Sequence, residues 1–203
     1  MEHFYDEVYG FSQIDLFALY RNMAERFDSG SHFVEIGSFL GKSSVYMAVE
    51  IINSGKNIKF DCVDHWEGSE EHSNNDKVNL DTMYEDFLKN IEPVKEVINP
   101  IKMNSVDASK LYEPDSLDFV FIDASHDEVS VKADLTHWMP RLKENGIIVR
   151  PTFIYGGVPK GAYRDYYEMI NRSKFLPYFL PPIYIQPLYI GDLCNTILNI
   201  CTN

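Results

Sequence analysis

The chain has 203 residues, a length typical of one domain, and its 45% hydrophobic and 24% charged content is that of a globular protein. The formal net charge of −13, with Lys and Arg scattered, argues against nucleic-acid or membrane partners because phosphate groups would be repelled. No apolar run is long enough to span a bilayer, and the acidic N-terminus does not resemble a secretory signal. Three cysteines show neither metal nor disulfide spacing. We therefore expect a cytoplasmic protein.

Strand and helix patterns alternate through the first three quarters of the chain. The periodicity of apolar residues predicts four helices, over 14–27, 42–52, 80–91 and 129–142. Between and after them it predicts five strands, over 32–36, 59–63, 97–102, 117–122 and 146–149. Strands that are separated by helical crossovers form parallel sheets with helices on both faces. We predict an α/β fold with a Rossmann-like, doubly wound, mainly parallel sheet.

The composition changes near residue 148. From there to the end the chain has five Lys or Arg against three carboxylates, and it holds six of the ten prolines. We predict a single domain over 1–203, with a cofactor-binding core over 1–149 and an irregular segment over 150–203. Short helices are expected near 162–170 and 193–200.

The turn after the first strand is the first place to look for a ligand, because parallel sheets bind ligands at the carboxyl ends of their strands. Gly37 and Gly41 bracket Ser38-Phe39-Leu40 there and are followed by Lys42-Ser43. A phosphate-binding loop would need one more residue between the glycines. A dinucleotide turn would need glycine at Phe39, where a side chain would meet the pyrophosphate. A nucleoside ligand without phosphate fits the turn best.

Asp64 ends the second strand and supports a nucleoside ligand, because a carboxylate accepts hydrogen bonds from both hydroxyls of a ribose. Trp66 follows and would shield a purine ring. Taken alone, Asp64 would be interpreted as a strand-end carboxylate that faces solvent. The glycine turn that precedes it makes the ribose interpretation the stronger one.

Four motifs at successive strand ends resemble a known family. They are Glu35-Ile36-Gly37-Ser38-x-x-Gly41-Lys42-Ser43, Val63-Asp64-x-Trp66, Asn104-Ser105 and Phe121-Ile122-Asp123-Ala124-Ser125-His126. Residues 30–149 thereby resemble the class I S-adenosylmethionine-dependent methyltransferases. The most similar branch is that of macrocin O-methyltransferase and related sugar methyltransferases, some of which carry a loop similar to Glu67-Gly68-Ser69-Glu70-Glu71-His72.

The resemblance implies S-adenosylmethionine as the cofactor. It places Glu35 and Gly37 near the methionine part of the cofactor and Asp64 on its ribose. It places Asn104 and Ser105 at the adenine edge, with Trp66 near the ring, and turns Asp123 toward the transferred methyl group and the substrate. The full cofactor-binding set is Glu35, Gly37, Ser38, Gly41, Ser43, Asp64, Trp66, Asn104, Ser105 and Asp123.

Two residues after the fourth strand are candidates for catalysis. His126 is the better candidate base for removing the acceptor's proton, because an unperturbed imidazole titrates near neutral pH. Asp123 would position a hydroxyl group or share a metal. The alternative for each is a cap of the helix that begins near Glu128.

The end of the fifth strand departs from the sugar methyltransferases. The resemblance implies a divalent metal held by the strand-four aspartate and by acidic residues after strand five, but residues 149–156 contain no carboxylate. We therefore predict no metal. The motifs Arg150-Pro151-Thr152-x-Ile154-Tyr155-Gly156 and Gln186-Pro187-Leu188-Tyr189-Ile190-x-Asp192-Leu193 resemble the C-terminal part of extended short-chain dehydrogenases and epimerases. We infer a methyltransferase-like front joined to an epimerase-like tail near residues 147–150.

The function predicted from these observations is S-adenosylmethionine-dependent O-methylation of a small hydroxylated molecule such as a sugar. The alternative is a module that binds a nucleoside cofactor without catalysis, and a weaker one is a nicotinamide-dependent sugar enzyme. The only partner expected outright is the small-molecule acceptor. The aromatic residues of the tail would either form a homodimer surface or pack on the sheet.

Overall fold

The computed structural model describes residues 1–10, 14–68, 78–125, 127–150, 154–155 and 188–189. The chain divides into two compact units, Met1–Arg150 and Pro151–Asn203. In the second unit, the described residues form a short parallel ladder of β6 (Ile154–Tyr155) and β7 (Leu188–Tyr189). The helices predicted near 162–170 and 193–200 lie outside the described residues.

The first unit is built on a five-stranded sheet in which every strand runs parallel to its neighbours. Its strands are β1 (His32–Ile36), β2 (Lys59–Asp64), β3 (Ile98–Lys102), β4 (Leu117–Ile122) and β5 (Leu142–Val149). Its helices are α1 (Ile14–Arg26), α2 (Lys42–Ser54), α3 (Met83–Ile91), α4 (Ser105–Ala108) and α5 (Glu128–Trp138). The order β3-β2-β1-β4-β5 confirms the predicted Rossmann-like, doubly wound sheet.

Both faces of the sheet are buried, which explains why its central strands are almost continuously apolar. On one face, Val34, Val120 and Ile122 belong to a core cluster with Trp138 of α5. On the other face, Tyr20 of α1 packs edge-on against the ring of Phe121 of β4, at a centroid distance of 5.2 Å. The two layers of helices leave the carboxyl ends of the strands as the place where polar residues gather.

The helices and strands predicted for the first unit are confirmed, and the largest differences in their boundaries lie between α5 and β5. The predicted helix 129–142 ends at Trp138, because a single 3-10 turn, Met139–Arg141, follows it and contains Pro140. β5 then begins at Leu142, four residues before the predicted start. Its first half pairs with β4 across a register shift and is largely exposed, as expected of an edge strand. Because the first half of β5 contains the polar residues Lys143, Glu144 and Asn145, the apolar pattern did not predict it as a strand.

Within the described ranges of the chain, none of the helices has the length and apolar character needed to cross a membrane.

Candidate functional site

The carboxyl ends of β1, β2 and β4 meet where the strand order reverses. β1 lies between β2 and β4, and the chain continues outward from it on both sides. The Asp123 amide donates to the Ile36 carbonyl at 2.8 Å, and the Gly37 amide donates to the Val63 carbonyl at 2.9 Å. In open α/β sheets the crevice at such a reversal is the usual ligand site.

The glycines of the first turn are required by the protein's own packing. Gly37 and Gly41 have φ values of +89° and +91°, which favour glycine. A Cβ on Gly37 would lie 2.2 Å from the Asp123 carbonyl oxygen, and one on Gly41 would lie 3.2 Å from the ring of Phe87. The predicted turn is thus present. That the glycines also admit a ligand stays a prediction.

Asp64 lies at the end of β2 and ties the turn to that strand. Its Oδ2 accepts from the Phe39 amide at 2.9 Å and its Oδ1 from the Trp66 amide at 2.8 Å. Asp64 is partly exposed, so it is neither fully buried nor fully exposed to solvent. Because each carboxylate oxygen has two lone pairs, both oxygens keep the capacity to accept a hydroxyl donor. The carboxylate is therefore held in one orientation before any ligand arrives.

Trp66 is placed beneath the turn. Only 2% of the residue is exposed, and its Nε1 donates to the Phe39 carbonyl at 2.7 Å. Its ring packs against Tyr84 and Phe87 of α3, with centroid distances of 4.8 and 4.6 Å. The structure thus gives Trp66 a supporting role for the turn, and the predicted contact with a purine stays a prediction.

Glu35 lies below the same turn in a buried polar cluster. Its carboxylate accepts hydrogen bonds from Tyr20 Oη at 2.8 Å and from Ser44 Oγ, with Cys62 Sγ at 3.8 Å. Burial raises the pKa of Glu35, although hydrogen bonds from hydroxyl groups oppose that shift. Burial and the neighbouring Glu35 charge also raise the pKa values of Tyr20 and Cys62, so both remain protonated donors.

The other two serines of the turn region differ in exposure: Ser38 is buried, whereas Ser43 is partly exposed in the first turn of α2.

The contacts of Glu35, which is 1% exposed, are with protein groups. Its predicted place near the methionine part of a cofactor stays a prediction.

Asn104 and Ser105 lie where β3 leads into α4. The exposed Asn104 caps α4, and its side-chain oxygen accepts from the Asp107 amide at 2.9 Å. Ser105 Oγ donates to Asp134 Oδ1 at 2.5 Å and accepts from Trp138 Nε1 at 2.8 Å. Asn104 is thus exposed at the carboxyl edge, whereas the hydroxyl of Ser105 links α4 to α5.

Asp123 follows β4 beside the glycine turn and is exposed. The cap of α5 is Asp127, whose side chain accepts from the Ser130 amide at 3.0 Å. The alternative role of Asp123 as that cap is therefore wrong, because Asp127 directly precedes the helix and occupies the cap position. His126 lies outside the described residues.

Arg150 follows β5 at the same edge and was not among the predicted site residues. Its Nη2 donates to the Ser125 carbonyl at 2.8 Å. The sequence did carry a signal for it: Arg150 is a cation directly after the fifth strand, where the resemblance implies acidic residues.

A model of a methyltransferase domain family matches residues 34–150, which is more than half of the chain. The chain belongs to this methyltransferase family. The match contains the glycine turn, Asp64, Asn104, Asp123 and Arg150, which are the residues that the sheet brings to its carboxyl edge. The prediction of an S-adenosylmethionine-dependent methyltransferase is confirmed at the level of the family.

The chain is similar to several solved structures. The methyltransferase PaMTH1 of Podospora anserina, bound to S-adenosylhomocysteine, is 16% identical with a TM-score of 0.51, covering 70% of this chain and 53% of that one. A Corynebacterium glutamicum protein is 17% identical with a TM-score of 0.48, covering 83% and 74%. A Thiobacillus denitrificans methyltransferase, in complex with S-adenosylhomocysteine, is 15% identical with a TM-score of 0.43, covering 68% and 48%. The chain thus spans about half the length of two of the three. No curated protein matches.

Proposed function

We propose that this chain binds S-adenosylmethionine at the carboxyl edge of its sheet and methylates a hydroxyl group of a small molecule such as a sugar. The observation that carries the proposal is the meeting of the glycine turn, Asp64 and Asp123 at the reversal of strand order within a methyltransferase domain. The bound S-adenosylhomocysteine of two structural neighbours supports the choice of cofactor. The macrocin-like motifs support a sugar-like acceptor.

For this reaction the protein has to bind the cofactor, align the acceptor hydroxyl and remove one proton from it. The cofactor supplies a methyl group on a positively charged sulfur. The protein would have to take the proton of the acceptor hydroxyl, for which His126 is the candidate base. Asp123 is exposed beside the turn, and we assign it the acceptor hydroxyl.

Cofactor binding is tested by thermal unfolding of the full chain with S-adenosylhomocysteine, S-adenosylmethionine or NAD. A ligand at a hundredfold excess over its dissociation constant stabilises the fold by about 2.7 kcal/mol. We expect the melting temperature to rise with the first two compounds and not with NAD. A shift with NAD alone would instead support the nicotinamide-dependent alternative.

We expect Asp64→Asn to weaken binding of S-adenosylhomocysteine by about tenfold to a hundredfold, since one neutral amide cannot accept from both ribose hydroxyls as a carboxylate does. Isothermal titration calorimetry measures the change. Asn keeps one acceptor for the Phe39 or Trp66 amide, so it disturbs the turn less than Ala would.

The matched control for this variant is Asp115→Asn. Asp115 is exposed before β4, at the opposite edge of the sheet, and its φ of +56° is one that Asn tolerates. Equal losses of affinity in both variants would count against a ribose contact at Asp64.

Turnover separates an enzyme from a module that only binds the cofactor. Labelled S-adenosylmethionine and a panel of sugars and other hydroxylated compounds are expected to yield a methyl ether with at least one member. Cofactor binding without transfer to any hydroxyl, amine or thiol compound would favour the binding module.

A further inference from the structure

The end of β5 is the place where this chain departs from the metal-dependent sugar methyltransferases it resembles. Those enzymes are expected to hold a divalent ion between the aspartate after β4 and acidic residues after β5. Val149 pairs with Phe121 of β4, so Arg150 comes level with the end of β4, directly before Asp123. A guanidinium group therefore stands where the resemblance implies a carboxylate.

With Arg150 in place, the residues at this edge do not fit a divalent ion. Within the described part of the chain, no three His, Cys, Asp or Glu side chains come together as a metal site. Of the nearby carboxylates, Asp134 accepts from Ser105 and Asp127 caps α5. A fixed positive charge beside them would repel a second cation.

Arg150 is itself held in place at this edge. Its Nη2 donates to the carbonyl of Ser125, two residues beyond Asp123. Partial burial lowers the pKa of Arg150, while the negative charges of Asp134, Asp123 and Asp127 act in the opposite direction. An arginine keeps its charge under such conditions, so the guanidinium acts on these acidic groups as a permanent cation.

We propose that Arg150 takes the place of the divalent ion: its guanidinium supplies the positive charge beside Asp123 and fixes the Asp123–Ser125 segment through the Ser125 carbonyl. This inference rests on the proposed function, because it concerns the charge that faces the acceptor. Its consequence is a methyl-transfer site that is complete without a metal.

Binding of Mn²⁺ to the full chain, followed by electron paramagnetic resonance with and without S-adenosylhomocysteine, tests the proposal. We expect the wild type to bind no Mn²⁺ at this edge below about 10⁻³ M, which is the weak end of the Ca²⁺ affinities of natural oxygen-ligand sites. In Arg150→Gln the repulsion by the guanidinium is removed, so the weak affinity of this edge for Mn²⁺ should rise at least about tenfold, even though its carboxylates do not form a complete ligand set. Arg150→Lys keeps the charge and should behave as the wild type.

The matched control is Lys143→Gln, at the other end of the same strand. Lys143 Nζ contacts both oxygens of Asp118, at 3.0 and 2.8 Å, so this variant loses an equal charge beside a carboxylate. It should gain no Mn²⁺ site, and an equal gain in both variants would overturn the proposal.

Two further results would overturn it. One is wild-type Mn²⁺ binding that Asp123→Asn abolishes. The other is a folded Arg150→Gln variant that binds no more Mn²⁺ than the wild type. The readout does not depend on the cofactor: failure to bind S-adenosylhomocysteine would refute the proposed function and leave the Mn²⁺ result to be judged separately.

Discussion

Replacing Gly37 by Ala is expected to lower the free energy of unfolding by about 4 kcal/mol and to abolish the stabilisation by S-adenosylhomocysteine. The added Cβ would lie 2.2 Å from the carbonyl oxygen of Asp123 and 2.9 Å from the amide nitrogen of Ala124, and neither backbone atom can rotate away. Relief requires β1 and β4 to separate at their carboxyl ends, where the Asp123 amide bonds to Ile36. Urea unfolding and a melting experiment with the ligand measure the two effects.

Gly30→Ala isolates the contact from the backbone conformation. Gly30 has a φ of +93°, almost equal to the +89° of Gly37, but nothing lies within 4 Å of its Cβ position. The strain of a left-handed residue, partly offset by a less flexible unfolded chain, should cost about 1 kcal/mol. The ligand-induced shift should be unchanged. Equal destabilisation by the two variants would show that φ, rather than the approach of Asp123, makes glycine necessary at position 37.

The sheet was predictable from the sequence because its central strands are buried on both faces. The run from Leu117 to Ile122 is almost wholly apolar, and so is the segment from Phe33 to Ile36 apart from Glu35. Edge strand β5 was only half predicted, since its first residues face solvent. Tertiary pairing with β4, which no local pattern encodes, makes them a strand.

The positions of the site residues were predictable, whereas their contacts were not. Strand ends locate Asp64 and Asp123, because parallel strands share one carboxyl edge. The hydrogen bond from the Phe39 amide to Asp64 depends on the path of a turn from a different strand. The neighbours of Arg150 depend on the β4–β5 register. Both arise from contacts between segments that are far apart in the sequence.

The cluster beneath the turn gives the second large effect. Glu35→Ala is expected to lower the free energy of unfolding by about 3 kcal/mol, because it leaves the hydroxyls of Tyr20 and Ser44 buried without their acceptor and opens a cavity. Ser44 lies in the first turns of α2, so the loss also loosens the link between that helix and β1. Chemical denaturation at neutral pH measures the loss, and the exposed Glu113→Gln serves as the control.

Glu35→Gln is predicted to change the pH dependence of stability, because burial raises the pKa of Glu35 in the folded state. A carboxyl group with a raised folded pKa contributes its full stability below the unfolded pKa of about 4.3 and loses it as the pH rises through the folded value. The wild type should therefore lose stability relative to Glu35→Gln as the pH rises from about 4.3, since the amide cannot ionise. Unfolding curves measured across that range give the difference. Parallel curves for the two proteins would mean that the Glu35 carboxyl has the same pKa in the folded and unfolded chain, and that its hydrogen bonds from Ser44 and Tyr20 fully offset its burial.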